Sequence, residues 1–196
     1  RPLLLRLAES AEILEEAWRD LGEAARAGQS LAAGPMVLDN AYLVAGQILG
    51  VQRNLPQSYY AELPLLATAQ GLLPRVYAMA VELVAHTDGR LDRESIVHFL
   101  QTYQSVARLT MGELWAMPLA LRLALIENLR RLAVRVCRRQ HEHEEADFWA
   151  NRLLQAAHHD PDRVLFVLAE LAGEHPELRP YFALRLLGHV HDEPAA

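Results

Sequence analysis

Lysine is absent from this chain, and cysteine occurs once. All 19 basic residues are therefore arginine, set against 25 acidic ones for a formal net charge of −6. That balance leaves no cationic footprint for a phosphate backbone, so nucleic acid is not an expected partner. The lone Cys137 rules out an internal disulfide framework and a cysteine-based zinc site, and it suits a reducing compartment. Long apolar runs are missing too. The longest uncharged stretches, residues 40–52 and 63–74, fall short of the roughly 18–20 residues that span a bilayer, so no transmembrane segment is expected. The Arg-Pro start has neither an initiator methionine nor a basic, apolar, small-residue signal pattern, and reads as part of a longer protein.

What is present is a chain of 196 residues, 52% hydrophobic and 22% charged, enough to bury one sizeable core. Apolar residues recur at helical spacing almost throughout, and no segment alternates with period two over a strand's length, so the expected fold is all-α. Residues 2–27 carry Leu3, Leu7, Ile13, Leu14, Trp18 and Leu21 along one stripe, with Glu and Arg opposite. Further helices are expected over Met36–Arg53 and Pro74–His86, then, after turn chemistry in "TDGR" at 87–90, from a cap at Asp92 to about Val106. Thr110 and Glu113 have the spacing of a capping box. Pro118 should end or kink the helix that they begin. Residues 118–157 form one helix or two, with the His-rich, acidic tract at 141–145 as the natural break and sub-domain boundary. Asp160-Pro161 and "GEHPEL" punctuate a last pair, 162–172 and 177–188. The expected architecture is a single domain, 1–196, of about seven to nine antiparallel helices packed as hairpins. It is tetratricopeptide-like at most in architecture, since that repeat's residue signature is missing.

In "LTMGELWAMPLALRLALIENLRRLA", residues 109–133, apolar side chains cover more than half the helix circumference, which marks a central helix. Arg122 falls inside that sector and needs a partner if buried, for which Glu113 and Glu82 are the candidates. Glu127 and Asn128 lie on the wetter side; with Trp115 and Tyr103 they are candidate contacts to another domain or to a sugar ring. "CRRQHEHEE" places Cys137, His141 and Glu145 on one helix face, but not at the spacing of a zinc helix, so a solvated polar face is the simpler reading. Asp160-x-Asp162 matches a minimal diphosphate–metal motif without the strand-end context that such a motif needs. No glycine-rich phosphate loop and no Ser/His/Asp arrangement is present, so no catalytic residue and no metal ligand is assigned.

Three blocks in order, "LDNAYLVAGQILGVQRNLPQSYYAELPLL", "PRVYAMAVELVAHTDGRLD" and the central helix, carry a resemblance. Together they resemble the helical region upstream of the glycosyltransferase domain in cyclic β-1,2-glucan synthases, most strongly over residues 37–136. The resemblance implies a large multipass protein of the Gram-negative inner membrane that uses UDP-glucose and a divalent metal, with this region on the cytoplasmic face. It implies no cofactor in this chain, whose partners would be other domains of the same polypeptide. The function so implied is a non-catalytic scaffold or anchor. Alternatives are a domain that binds nucleotide sugar or β-1,2-glucan, with Tyr59 or Tyr60 as the glucan acceptor, and a free-standing helical interaction module.

Overall fold

The structure, a computed structural model, describes residues 2–29, 31–54, 60–69 and 71–192. Among them run α1 (Pro2–Arg26), α2 (Ala33–Asp39), α3 (Ala41–Arg53), β1 (Leu65–Thr68), β2 (Gly71–Pro74), α4 (Arg75–His86), α5 (Arg93–Val106), α6 (Met111–His159), a 3₁₀ turn (Pro161–Arg163), α7 (Val164–Glu174) and α8 (Pro180–Asp192). The all-α class holds. The chain divides into two compact units, residues 1–19 with 36–134, and residues 20–35 with 135–196. The division falls at Val134–Arg135 rather than in the His-rich tract, and α1 and α6 contribute residues to both units.

In the first unit α1 buries Leu3, Leu7, Ser10, Leu14 and Ala17, and α4 buries Val76, Tyr77, Met79, Ala80, Leu83 and Val84. Both sets follow the three-and-four spacing of one helix face. From α6 come Ala116, Met117, Ala120, Leu121, Leu123, Ala124 and Ile126, whose mixture of alanine and larger side chains lets neighbouring helices approach closely. Each fully buried leucine contributes roughly 1.5–3 kcal/mol. The capping box forms: the Thr110 backbone N–H donates to Glu113 at 2.8 Å, and the Glu113 N–H donates to the Thr110 hydroxyl at 3.2 Å. Asp92 caps α5 by accepting from the Ser95 N–H at 2.7 Å.

Four local expectations need correction. The helix expected over 36–53 is two, α2 and α3, separated at Asn40, whose side-chain amide donates to the Met36 carbonyl at 2.9 Å and so competes with the helical ladder. Residues 65–74 form an antiparallel hairpin, with Leu66 opposite Leu73 and Thr68 opposite Gly71. Four-residue strands are too short to display alternation. Pro74 ends β2 and precedes α4 instead of opening it. α6 runs 49 residues through Pro118 without ending, because buried residues on both sides of an exposed proline hold the helix together against a local cost of about 3 kcal/mol.

In the second unit Trp149, Ala146 and Ala150 of α6 pack with Val167 and Leu171 of α7 and with Phe182 and Leu186 of α8. His175 stacks on Phe182 at 4.8 Å and meets Trp149 edge-on at 6.3 Å. The tract 141–145 stays helical because its side chains are held in place. His141 pairs with Glu145 at 3.3 Å, and Glu142 accepts from Arg179 at 2.6 Å. Just before it, the Gln140 amide donates to the Gln29 carbonyl at 2.7 Å and accepts from the Leu31 N–H at 2.9 Å. Despite the length of α6, no helix among the described residues is apolar enough over a sufficient stretch to cross a membrane.

Candidate functional site

The residues singled out in the sequence gather mostly in the first unit, around the start of α6. Pro74 sets the chain direction into α4, and the Arg75 N–H donates to the Pro64 carbonyl at 2.8 Å, which ties α4 to the base of the hairpin. From there the Arg75 guanidinium reaches Glu113 through two hydrogen bonds, Nε to Oε1 at 2.7 Å and Nη2 to Oε2 at 2.6 Å. Nη2 also donates to the Arg108 carbonyl at 3.1 Å, and the guanidinium lies 5.9 Å from the Tyr103 ring centroid. Glu113 is fully buried. Burial opposes its ionisation, but the bonds from Arg75 and Thr110 outweigh this and hold the carboxyl below its ordinary range. The bond to Glu113 in turn raises Arg75. One bidentate pair therefore joins the hairpin base, α4, the end of α5 and the cap of α6.

This arrangement corrects the expected ion pair. Glu113 takes Arg75, not Arg122. Arg122 lies on the exposed side of α6, in line with the exposed Met111, Trp115 and Pro118, and makes no ion pair among the described residues. Glu82 is exposed and lies 3.7 Å from His86 on its own helix.

Glu127, read from the sequence as wet, is buried instead. One of its carboxylate oxygens lies 3.7 Å from Arg6 of α1, a long ion pair. That oxygen and the Tyr77 hydroxyl are both buried, without a hydrogen bond of good geometry among the described residues. Burial, and then the neighbouring Glu127 carboxylate, push the Tyr77 phenol well above its ordinary pKa. Asn128 sits under the turn after α4, where Asp88 and Gly89 take φ of 51° and 76°. A Cβ at Gly89 would come within 3.2 Å of the Asn128 side-chain amide.

Trp115 is 77% exposed, while Tyr103 is half-buried beside Arg75. Tyr60 is half-buried, and Tyr59 lies outside the described residues. The structure thus brings Glu113 and Tyr103 together around Arg75 and leaves Trp115 and Arg122 facing outward.

Sequence reasoning missed a second set of paired groups, in the other unit. Asp147 accepts from Arg185 at 2.8 and 3.1 Å, meets His189 Nδ1 at 3.0 Å, and has His143 Nε2 at 3.5 Å. Burial opposes ionisation here as well, and the Arg185 and His189 bonds more than reverse it, so Asp147 titrates below the usual carboxylate range. Arg152 pairs with Glu170 while lying 4.7 Å over the Trp149 ring. The only advance signal was helical spacing between His143 and Asp147. The partners from outside α6, Arg185 for Asp147 and Glu170 for Arg152, stand 38 and 18 positions away in sequence. Burial raises the Cys137 thiol, and Asp20 adds to the effect. Among the described residues no group of three His, Cys, Asp or Glu side chains is placed to hold a metal ion.

These geometries are ties between helices, without a nucleophile held by a base. No protein-family model matches the chain. It is 36% identical over 166 residues to the cyclic β-(1,2)-glucan synthase NdvB of Rhizobium meliloti. The alignment covers 84% of this chain and 6% of that protein, so the chain spans a small part of the relative's length. It extends beyond the three sequence blocks, and the chain is accordingly homologous to a region of a cyclic β-1,2-glucan synthase.

Proposed function

We propose that the chain is a non-catalytic helical region of a cyclic β-1,2-glucan synthase, one that holds the catalytic domains of that UDP-glucose-using enzyme in position. The observation that carries the reading is the match itself, nearly the whole of this chain against a small fraction of a glucan synthase. The chemistry of the paired groups supports it. Arg75–Glu113 and Arg185–Asp147 spend their charges on one another across separate helices, which fixes helices in register and leaves neither pair available for proton transfer. On this reading the region belongs to the cytoplasmic side of an inner-membrane protein, and UDP-glucose and its metal are bound elsewhere in the polypeptide.

The test is made on the full-length synthase in membranes during turnover of UDP-glucose. Peptides spanning residues 1–196 are recovered afterwards and weighed by mass spectrometry. The expected result is unmodified peptides while cyclic glucan accumulates. A ladder of hexose additions on the peptide containing Tyr59 and Tyr60 would overturn the reading and make the region the glucan acceptor.

A further inference from the structure

α6 begins with an outward stripe that the first unit leaves uncovered. Met111, Trp115, Pro118 and Arg122 fall within about 60° of one another around the helix at 100° per residue, and all four are exposed. Met111 and Trp115 are 70% and 77% exposed, and no acidic residue lies on the stripe. Further along, Leu125 is half-buried, with the turn at Gly89 against it. The open section is therefore bounded, from the helix start to Arg122.

A tryptophan and a methionine one turn apart, both facing water, have the chemistry of an interface anchor, where aromatic residues and Met are enriched. At the far end of the stripe stands a guanidinium with no carboxylate partner among the described residues. Trp115 and Arg122 are about 10 Å apart along the axis at 1.5 Å rise per residue. A lipid surface is a poor occupant, since the net charge of −6 is repelled by anionic headgroups and the stripe offers one cation against it.

We propose that this stripe is a docking face for another region of the same synthase polypeptide, an apolar segment that packs on Met111 and Trp115 and presents a carboxylate to Arg122. The proposal rests on the scaffold reading for its setting. For its chemistry it rests on the exposed apolar pair and the unpaired cation at a fixed distance from it. The face is specific because both parts must be met at once, and a segment lacking the carboxylate would leave Arg122 desolvated and unpaired.

The test is photo-crosslinking from Met111→p-benzoylphenylalanine in the full-length synthase in membranes. The expected product is an internal crosslink to an apolar peptide bearing Asp or Glu, elsewhere in the polypeptide. Its yield should fall fivefold or more with either Arg122→Glu or Trp115→Ala, both exposed positions. Crosslinking to lipid, to a second copy or to glucan would overturn the proposal, and so would a yield that Arg122→Glu leaves unchanged. The two readings fail separately. Hexose on the residue 1–196 peptides refutes the non-catalytic role whatever the crosslink shows, whereas unmodified peptides without the crosslink refute the docking face alone.

Discussion

Arg75 and Glu113 are the residues on which the first unit depends most. Arg75→Ala would leave a fully buried carboxylate without its cation, a defect that costs about 3–5 kcal/mol. The expected outcome is a large drop in the urea unfolding midpoint, with Glu113→Gln milder because the amide keeps part of the hydrogen bonding. Glu113 and Asp147 both titrate lower in the folded chain than their ordinary values of 4.5 and 3.8. Depressed folded values mean that their stabilisation is complete above those ordinary values and is lost as pH falls through the folded ones. Acid unfolding should therefore set in below about pH 4.5, and Glu113→Gln should flatten that limb of a stability–pH profile. Tyr77 has the opposite sign. Its raised value favours the folded state until the unfolded phenol begins to ionise near 10.0, after which stability declines. Tyr77→Phe should remove the alkaline decline and change stability at pH 7 by no more than about 1 kcal/mol, as measured by chemical unfolding at both pH values.

At the scale of elements, turn and cap chemistry were legible in the sequence, and tertiary cover was not. Asp92, Thr110–Glu113 and the Asp88–Gly89 turn appear where their side chains and φ angles demand, because each is settled by atoms within four residues. α6 was misread at Pro118 for the complementary reason. A local penalty is visible in sequence, while the burial of Ala116, Met117, Ala120 and Leu121 that offsets it is not. Pro118→Ala should therefore stabilise the chain by about 1–3 kcal/mol, restoring a donor and removing the ring's clash. A thermal melt that stays level or falls would show that the exposed ring is already fully accommodated. At Gly89 an alanine meets both a positive φ and the Asn128 amide, so Gly89→Ala should cost about 1 kcal/mol or more. The hairpin was illegible because its strands are no longer than many loops, and Arg122 was misplaced because apolar periodicity marks a face without saying what covers it.

For the molecule as a whole, the fold class and the family were readable, whereas the ties that define each unit were not. Periodicity is repeated in almost every segment, and three blocks in order identify a relative. Arg75–Glu113 and Arg185–Asp147 are each 38 positions apart, and no local pattern announces such a pair. Asp147→Asn should loosen α8, read as faster amide exchange over residues 180–192 with no change over α5.

Gln140 shows the same logic in one side chain. Its amide takes the Gln29 carbonyl and the Leu31 N–H as a neighbouring strand's peptide group would, so a piece of borrowed backbone closes the link after α1. The mimicry depends on polarity as well as shape. Gln140→Glu would keep every heavy-atom position, yet it would present oxygen to the Gln29 oxygen and a second negative charge to Glu144, now 2.8 Å away as an acceptor. An isostere would thus open a loop that a bulkier amide, if it fitted, would leave shut.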